Sequence, residues 1–141
     1  MTISDATATA LTSYLTGSVV NASTVDNGIN VGENDKFDNR VVVFSNDAQL
    51  RHEYVKGMYD VSGQVVIQQS ADSEDARTMF NTLSEEVRGL LEDKTLMPDF
   101  LNGVLPELRV FTWNMKQQSA NPSNRGFQAI FEWQVFAELP N

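Results

Sequence analysis

The last third of the chain alternates apolar and polar residues in two long runs that flank one polar turn. In the second run, alternate positions are apolar: Phe127, Ala129, Phe131, Trp133, Val135 and Ala137. Polar residues hold most of the remaining positions: Gln128, Glu132, Gln134 and Glu138. This is the pattern of a half-buried strand. Because the run from Leu108 to Gln118 also has strand character, the two runs predict a long C-terminal β-hairpin.

Two apolar residues interrupt the polar side of the second run. Ile130 and Phe136 stand at positions where the alternation directs side chains to the outward face. Val110, in the first run, is expected on that same face. Apolar residues grouped on an outward face are typical of surfaces that contact a partner. The pattern therefore predicts that Ile130, Phe136 and Val110 contact a neighbouring subunit.

Two stretches have helical periodicity. Between Ile3 and Leu15, apolar residues recur every three or four positions, and Gly17 is expected to end this helix. A longer pattern of the same spacing runs for about five turns and ends near Leu91. Four polar residues, Asp72 to Asp75, crowd its first turn, where carboxylates bind free N–H groups and oppose the positive end of the helix dipole.

Two strands and a long polar segment are predicted between these helices. Residues 18–40 are rich in Asn, Asp, Gly and Ser, which predicts a loop with one brief strand. The β-branched run Val41–Phe44 predicts a central strand. Residues 59–69 alternate as another strand, in which Gly63 indicates a bulge or a close backbone approach. Residues 96–106 are expected to form a connector that packs on one end of the core.

This order of elements predicts one α+β domain over residues 1–141. We expect a mixed or antiparallel sheet of about four strands, one long helix packed on a face, an N-terminal helix and the C-terminal hairpin. A chain of 141 residues with 41% hydrophobic content can bury a single core. The long helix covers only one sheet face, so the N-terminal helix or a neighbouring subunit is expected on the other.

Composition limits the classes of function. Ten Lys and Arg against nineteen Asp and Glu give a net charge of −9, which disfavours binding to nucleic acid through phosphate neutralisation. The chain has no cysteine, which excludes disulfides and thiolate chemistry. No apolar run approaches the length of a membrane span, and the N-terminus lacks the features of a signal peptide. We therefore expect a soluble, intracellular protein that has no membrane contact.

Residues suited to catalysis or cofactor binding are sparse. The single histidine, His52, has no cysteine or second histidine to complete a transition-metal site. The acidic residues between Asp26 and Asp38 do not have the spacing of a helix–loop–helix calcium site. Trp113 and Trp133 resemble a base-stacking platform, but the hairpin is poor in basic residues, which favours a packed core or a subunit interface. We predict no enzymatic activity, metal or cofactor.

With these elements in place, the chain resembles the tail terminator, or tail completion, proteins of long-tailed bacteriophages. The resemblance rests on the N-terminal helix, the polar loop before Val41–Phe44, the strand-then-helix unit from Val61 to Leu91, and the final hairpin that ends near Ala137. It covers nearly the whole chain and is a pattern of organisation, without a signature motif. It implies a small α+β protein that forms a ring at the top of the tail tube.

The resemblance also implies where the protein acts. A virion protein made in the host cytoplasm would form a homo-oligomeric ring, expected to be a hexamer, that contacts the tail tube protein and the neck or connector proteins. DNA would pass through without specific binding, which suits an acidic chain because like charges repel. Residues 18–40 and the turn at 119–126, with Asn121 and Arg125, are expected to reach partners.

Two alternatives remain open from the sequence. Another neck or head–tail connector component would use a similar small α+β domain. A small-ligand binding domain or enzyme on a ferredoxin-like sheet is the other reading, although the chain has few acid, base or metal groups to support it.

Overall fold

The computed structural model describes residues 3–22, 24–28, 39–46, 49–50, 58–70, 75–106, 108–123 and 126–138. The elements follow in the order α1 (Ile3–Ser18), β1 (Thr24–Asn27), β2 (Arg40–Ser45), β3 (Gln49–Leu50), β4 (Met58–Ser70), α2 (Ala76–Leu91), α3 (Leu96–Val104), β5 (Arg109–Ser123) and β6 (Gly126–Glu138). The fold is therefore α+β, which confirms the expected class. It differs from the expectation in its number of strands and helices.

The strands form one mixed sheet with the order β1-β2-β4-β6-β5. Strands β1 and β2 pair in parallel, whereas β2–β4, β4–β6 and β6–β5 are antiparallel. The short β3 pairs with β4 at Tyr59 and Asp60, on the same edge of β4 that β2 occupies further along. The expected four strands are therefore too few, because β1 and β3 lie in stretches where the sequence has few apolar residues.

The helices α2 and α3 connect β4 to β5, which are not neighbours. Strand β6 lies between them and is antiparallel to both, so β4 and β5 run in the same direction. Strand β6, the second strand of the C-terminal hairpin, thus lies between β4 and β5, the two strands that the helices connect. Strands β4 and β5 therefore do not pair with each other.

All three helices pack on one face of the sheet. Helix α1 contacts β1, β2 and β4, helix α2 contacts β4 and β6, and helix α3 contacts β5. The core between these layers is apolar, and its members include Leu11, Leu15, Val41, Val43, Val65, Ile67, Leu83, Val87, Met97, Leu101, Phe131 and Trp133. Since all described helices lie on this side, the opposite sheet face carries no helix within the described part of the chain. The expectation that the N-terminal helix covers the opposite face is therefore wrong, because α1 buries Leu11 and Leu15 in the same core as α2.

The helix ends differ from the sequence prediction. Helix α1 continues through Gly17 to Ser18. Helix α2 begins at Ala76 with Asp75 as its N-cap residue, and its first turn contains no acidic residue. The sequence analysis placed Asp75 in the first turn, which is wrong because Asp75 precedes the helix. The other three predicted first-turn residues, 72–74, lie outside the described residues.

Helix α3 replaces the connector expected at residues 96–106. The Asp93 Oδ1 atom accepts hydrogen bonds of 2.9 Å from the backbone N–H groups of Thr95 and Leu96. These bonds satisfy donors that a helix start leaves without partners. Pro98 lies within the first turn, where a missing N–H is tolerated. The expected packing of this segment is confirmed, because Met97 and Leu101 are fully buried.

Gly63 marks a close backbone approach within β4. A Cβ atom placed there would lie 2.1 Å from the Phe44 carbonyl oxygen and 2.4 Å from Cζ2 of Trp133. Trp133 is the β6 partner of Gly63, and its indole occupies the space that a side chain would need. The register between β4 and β6 is unbroken through Gly63, so the residue marks a close approach without a bulge in that ladder.

Candidate functional site

The sheet face opposite the helices carries an exposed aromatic pair. The rings of Phe111 and Phe136 lie 5.6 Å apart between centroids, with an interplanar angle of 39°. Phe111 is 43% exposed and Phe136 is half-buried. A β-bulge between Val110 and Thr112 inserts Phe111 as an extra residue on β5, opposite the end of β6 where Phe136 lies.

An apolar row crosses the same face. Val42 pairs with Val66, and Val66 pairs with Ile130, so the three side chains lie side by side on three strands. Val42 and Val66 are buried, whereas Ile130 is half-buried. Phe44, two residues beyond Val42 on the same face, is 37% exposed. We call this surface the open face, defined by Phe44, Phe111, Ile130 and Phe136. The predicted outward positions of Ile130 and Phe136 are confirmed.

Val110 does not belong to the open face. It is buried in the core on the helix side, so the prediction that it faces outward is wrong. The cause is the bulge at Phe111, which shifts the alternation of β5 by one residue and places both Val110 and Trp113 on the helix side. The sequence contains the signal, because the apolar residues change phase between Val110 and Trp113.

Strand β5 continues to Ser123, so the polar turn expected at residues 119–126 is wrong for residues 119–123, which include the predicted contact residue Asn121. The backbone of Asn121 pairs with Gln128 near the end of the hairpin. Arg125 lies outside the described residues, and so does His52. The structure therefore brings together Ile130, Phe136 and the unpredicted Phe111 on one face, and separates Val110 from them.

The two tryptophans are core residues. Trp113 and Trp133 are 2% and 0% exposed, and their indoles stack with centroids 6.1 Å apart and an angle of 7°. The Trp113 Nε1–H donates a 2.7 Å hydrogen bond to the Leu91 carbonyl at the end of α2. Burial removes both rings from contact with bases. Of the two placements that the sequence favoured, a packed core or a subunit interface, the structure shows the packed core.

A cleft lies between α1 and α3. It has a volume of about 420 Å³ and is lined by Ala6, Thr9, Ala10, Ser13, Tyr14, Phe100, Val104 and Leu105. The Tyr14 hydroxyl donates to the Leu90 carbonyl at 3.4 Å, and the Tyr14 ring packs 4.8 Å from that of Phe100. Burial, and secondarily the nearby Asp93 carboxylate, raises the pKa of Tyr14.

Charged groups on the described surface form local pairs. The Arg40 Nε–H donates to Asp26 Oδ2 at 3.2 Å, which joins β2 to β1 on the open face. On α2, Arg88 pairs with Glu85 and lies 3.9 Å from a Glu92 carboxylate oxygen. Within the described residues, no three His, Asp or Glu side chains are grouped to hold a metal ion. None of the described helices is long and apolar enough to cross a membrane.

No protein-family model matches the sequence, and no curated protein matches it.

Proposed function

We propose that this chain is a structural virion subunit that forms a homo-oligomeric ring, caps the tail tube of a long-tailed bacteriophage and joins the tail to the neck. The observation that supports this most is the open face, where Phe111 and Phe136 pair on the sheet side that carries no described helix. Grouped exposed aromatics are characteristic of protein–protein contacts.

The proposed ring has a simple geometric origin. A ring forms when one patch of a subunit contacts a different patch on the next copy and the rotation closes. The two sheet edges, β1 and β5, are non-identical patches at opposite ends of the sheet, and the open face is a third patch. A hexamer remains the expected size, on the resemblance to tail terminators.

The net charge of −9 agrees with a channel that passes DNA. An acidic wall repels phosphate and so lets the duplex slide without being held. In this account, the partners of the ring are the tail tube protein on one side and neck or connector proteins on the other.

A tube-capping assay tests this function. The purified protein is added to polymerising tail tube protein of the same phage, and tube lengths are measured by negative-stain microscopy. We expect shorter tubes with a ring of density at one end only. A ring that binds neck proteins but leaves tube growth unchanged would instead support the alternative of a neck or head–tail connector component.

The cleft between α1 and α3 favours the other alternative, a small-ligand binding domain. Its volume of about 420 Å³ lies in the range of small-molecule sites. The polar side chains that line it are the hydroxyls of Thr9, Ser13 and Tyr14, which are suited to hydrogen bonding. Saturable binding of a metabolite by a monomer would favour this reading over the structural one.

A further inference from the structure

Strand β5 is a sheet edge whose first part is shielded by a side chain. The Asn102 side chain, on α3, donates from Nδ2 to the Val110 carbonyl at 3.0 Å and accepts from the Val110 N–H at 2.7 Å on Oδ1. Asn102 thus pairs with Val110 as a neighbouring strand would. The polar backbone groups of Val110 therefore point away from β6, toward the edge.

Alternation along the β5–β6 ladder identifies the other edge-facing residues. Successive residues of an antiparallel strand direct their backbone groups alternately toward and away from the partner. Counted through the two bulges, Trp113, Met115, Gln117, Ala120 and Pro122 share the outward direction of Val110. Pro122 agrees with this count, because a residue without an N–H group is tolerated at a position that faces the edge.

At both ends of the β5 edge an added strand is hindered, whereas the segment between the ends is accessible. Trp113 is 2% exposed, so its backbone is covered, and Pro122 offers no N–H to an added strand. In the segment Asn114–Gln117, three of the four residues are exposed and Met115 is half-buried. No strand among the described residues pairs with this side of β5. Unpaired edge groups of this kind are templates for another strand.

The strand at the opposite edge of the sheet, β1, has the same number of residues as the exposed segment Asn114–Gln117 of β5. Strand β1, Thr24–Asn27, has four residues and pairs on one side with β2. Successive pairings across the sheet make β1 antiparallel to β5. A second copy placed so that the sheet continues would therefore bring its β1 antiparallel to β5. Such head-to-tail contacts are the ones that close into rings.

We propose that the segment Asn114–Gln117 pairs in antiparallel register with β1 of a neighbouring copy, an inference that rests on the proposed ring. Charge supports this occupant. Strand β5 contains Arg109 and Lys116 and no acidic residue, although the chain as a whole is at −9. Strand β1 contains Asp26 and no basic residue. Each of the two residues already faces one opposite charge within its own copy, because Asp26 pairs with Arg40 of β2 and Lys116 lies across from Glu132 of β6. The Asp26 side chain is still 40% exposed and Lys116 is exposed, so each can also meet a charge on the edge side of its strand.

The face of each side chain fixes the register. The ladder links Lys116 to Glu132, Gln64 and Phe44 in turn, which places Lys116 on the open face. Asp26 pairs with Val42 and lies on that face as well. Opposite charges directly across two strands stabilise the pair, so Lys116 lies opposite the neighbour's Asp26 and Gln117 opposite its Val25.

Cysteine cross-linking tests this register on a chain that has no cysteine of its own. Directly opposed residues in a hydrogen-bonded antiparallel pair have Cα atoms about 5.5 Å apart, which suits a disulfide. Gln117→Cys and Val25→Cys proteins are mixed under oxidising conditions, and dimers are quantified on a non-reducing gel. We expect a disulfide-linked dimer of one Gln117→Cys chain and one Val25→Cys chain. As the control, Asn81→Cys, at an exposed position on α2, replaces Val25→Cys, and the mixed dimer should then be absent.

Each outcome separates this inference from the proposed function. Rings without the mixed dimer would overturn the strand pairing and leave the ring standing. Mixed dimers without rings would support the pairing and count against the proposed function. A strong Gln117→Cys homodimer would show two β5 strands in contact and overturn the pairing. Absence of both rings and mixed dimers would overturn both.

A proline variant gives a second, independent test. The Gln117 N–H faces the edge and is not part of the ladder to β6, so Gln117→Pro removes a donor that only an added strand would use. We expect the variant to keep its circular dichroism spectrum and to lose assembly, whereas Gln117→Ala retains both. Assembly that survives Gln117→Pro in a folded protein would contradict the pairing.

Discussion

The rings of Phe111 and Phe136 pack 5.6 Å apart on the sheet face opposite the three helices. One of these residues stands in a β-bulge of β5 and the other in the regular part of β6. Their pairing leaves an aromatic surface that the described helices do not cover, and this surface is central to the assembly proposed for the chain.

Phe111→Asp is expected to disturb assembly more than folding. Because Phe111 is 43% exposed, the change removes mainly the ring pair with Phe136, which contributes about 1 kcal/mol. Urea unfolding and mass photometry measure the two effects, and Phe136→Asp is expected to act in the same direction. Phe131→Ala, in the core, is the control and should cost about 3–5 kcal/mol of unfolding free energy. A loss of that size for Phe111→Asp would place its ring in the core.

Trp113→Phe and Trp133→Phe are expected to differ in stability. Both changes shrink a buried ring, but only the first removes a hydrogen bond, from Nε1 to the Leu91 carbonyl. The Nε1 atom of Trp133 is buried without a partner among the described residues. Trp113→Phe should therefore lower the unfolding free energy by about 1–3 kcal/mol more than Trp133→Phe does. Equal losses in urea titrations would contradict a stabilising role for this bond.

Gly63→Ala and Gly89→Ala are expected to change stability in opposite directions. At Gly63 the new Cβ would meet the Phe44 carbonyl oxygen, a backbone atom that cannot move aside cheaply, and we expect a loss of about 1–3 kcal/mol or more. Gly89 lies exposed in α2 with nothing within 4 Å of the new atom. Alanine there should stabilise the helix by up to about 1 kcal/mol. Thermal unfolding of both variants measures the difference.

The stability that Asp93 provides is expected to disappear in acid. Hydrogen bonds from the backbone N–H groups of Leu96 and Thr95 lower the pKa of Asp93. A lowered pKa means that the folded state favours the charged form, so the contribution is present above the unfolded pKa and is lost as pH falls through the folded pKa. Asp93→Ala should lower Tm at neutral pH, with a difference that vanishes at low pH. Asp93→Asn, which retains the acceptor oxygen, should show a smaller loss.

The regular parts of the fold follow from the sequence because one periodicity governs them. Strand β6 buries the alternate residues that the pattern assigns to the core, and α2 buries Phe80, Leu83, Val87 and Leu91 at helical spacing. In these elements each residue's burial is determined by a single face, so local pattern and tertiary packing agree.

The parts that the sequence missed depend on contacts between distant residues. Pro98 and Gly103 are typical of a loop, but burial of Met97 and Leu101, together with the Asp93 cap, stabilises α3. The bulge at Phe111 changes which face Val110 occupies, and the bond between Val110 and Asn102 depends on that change. The packing of α3 against the β5 edge cannot be deduced from the local pattern of α3 or of β5 alone.

The oligomeric state of the purified protein tests the central claim most directly. Mass photometry across a concentration series gives the number of copies, and negative-stain microscopy of the same sample gives the shape. We predict a closed ring, with a hexamer as the expected size, that dissociates in Phe111→Asp. A strictly monomeric protein at high concentration, with no ring at the end of phage tails, would contradict the account.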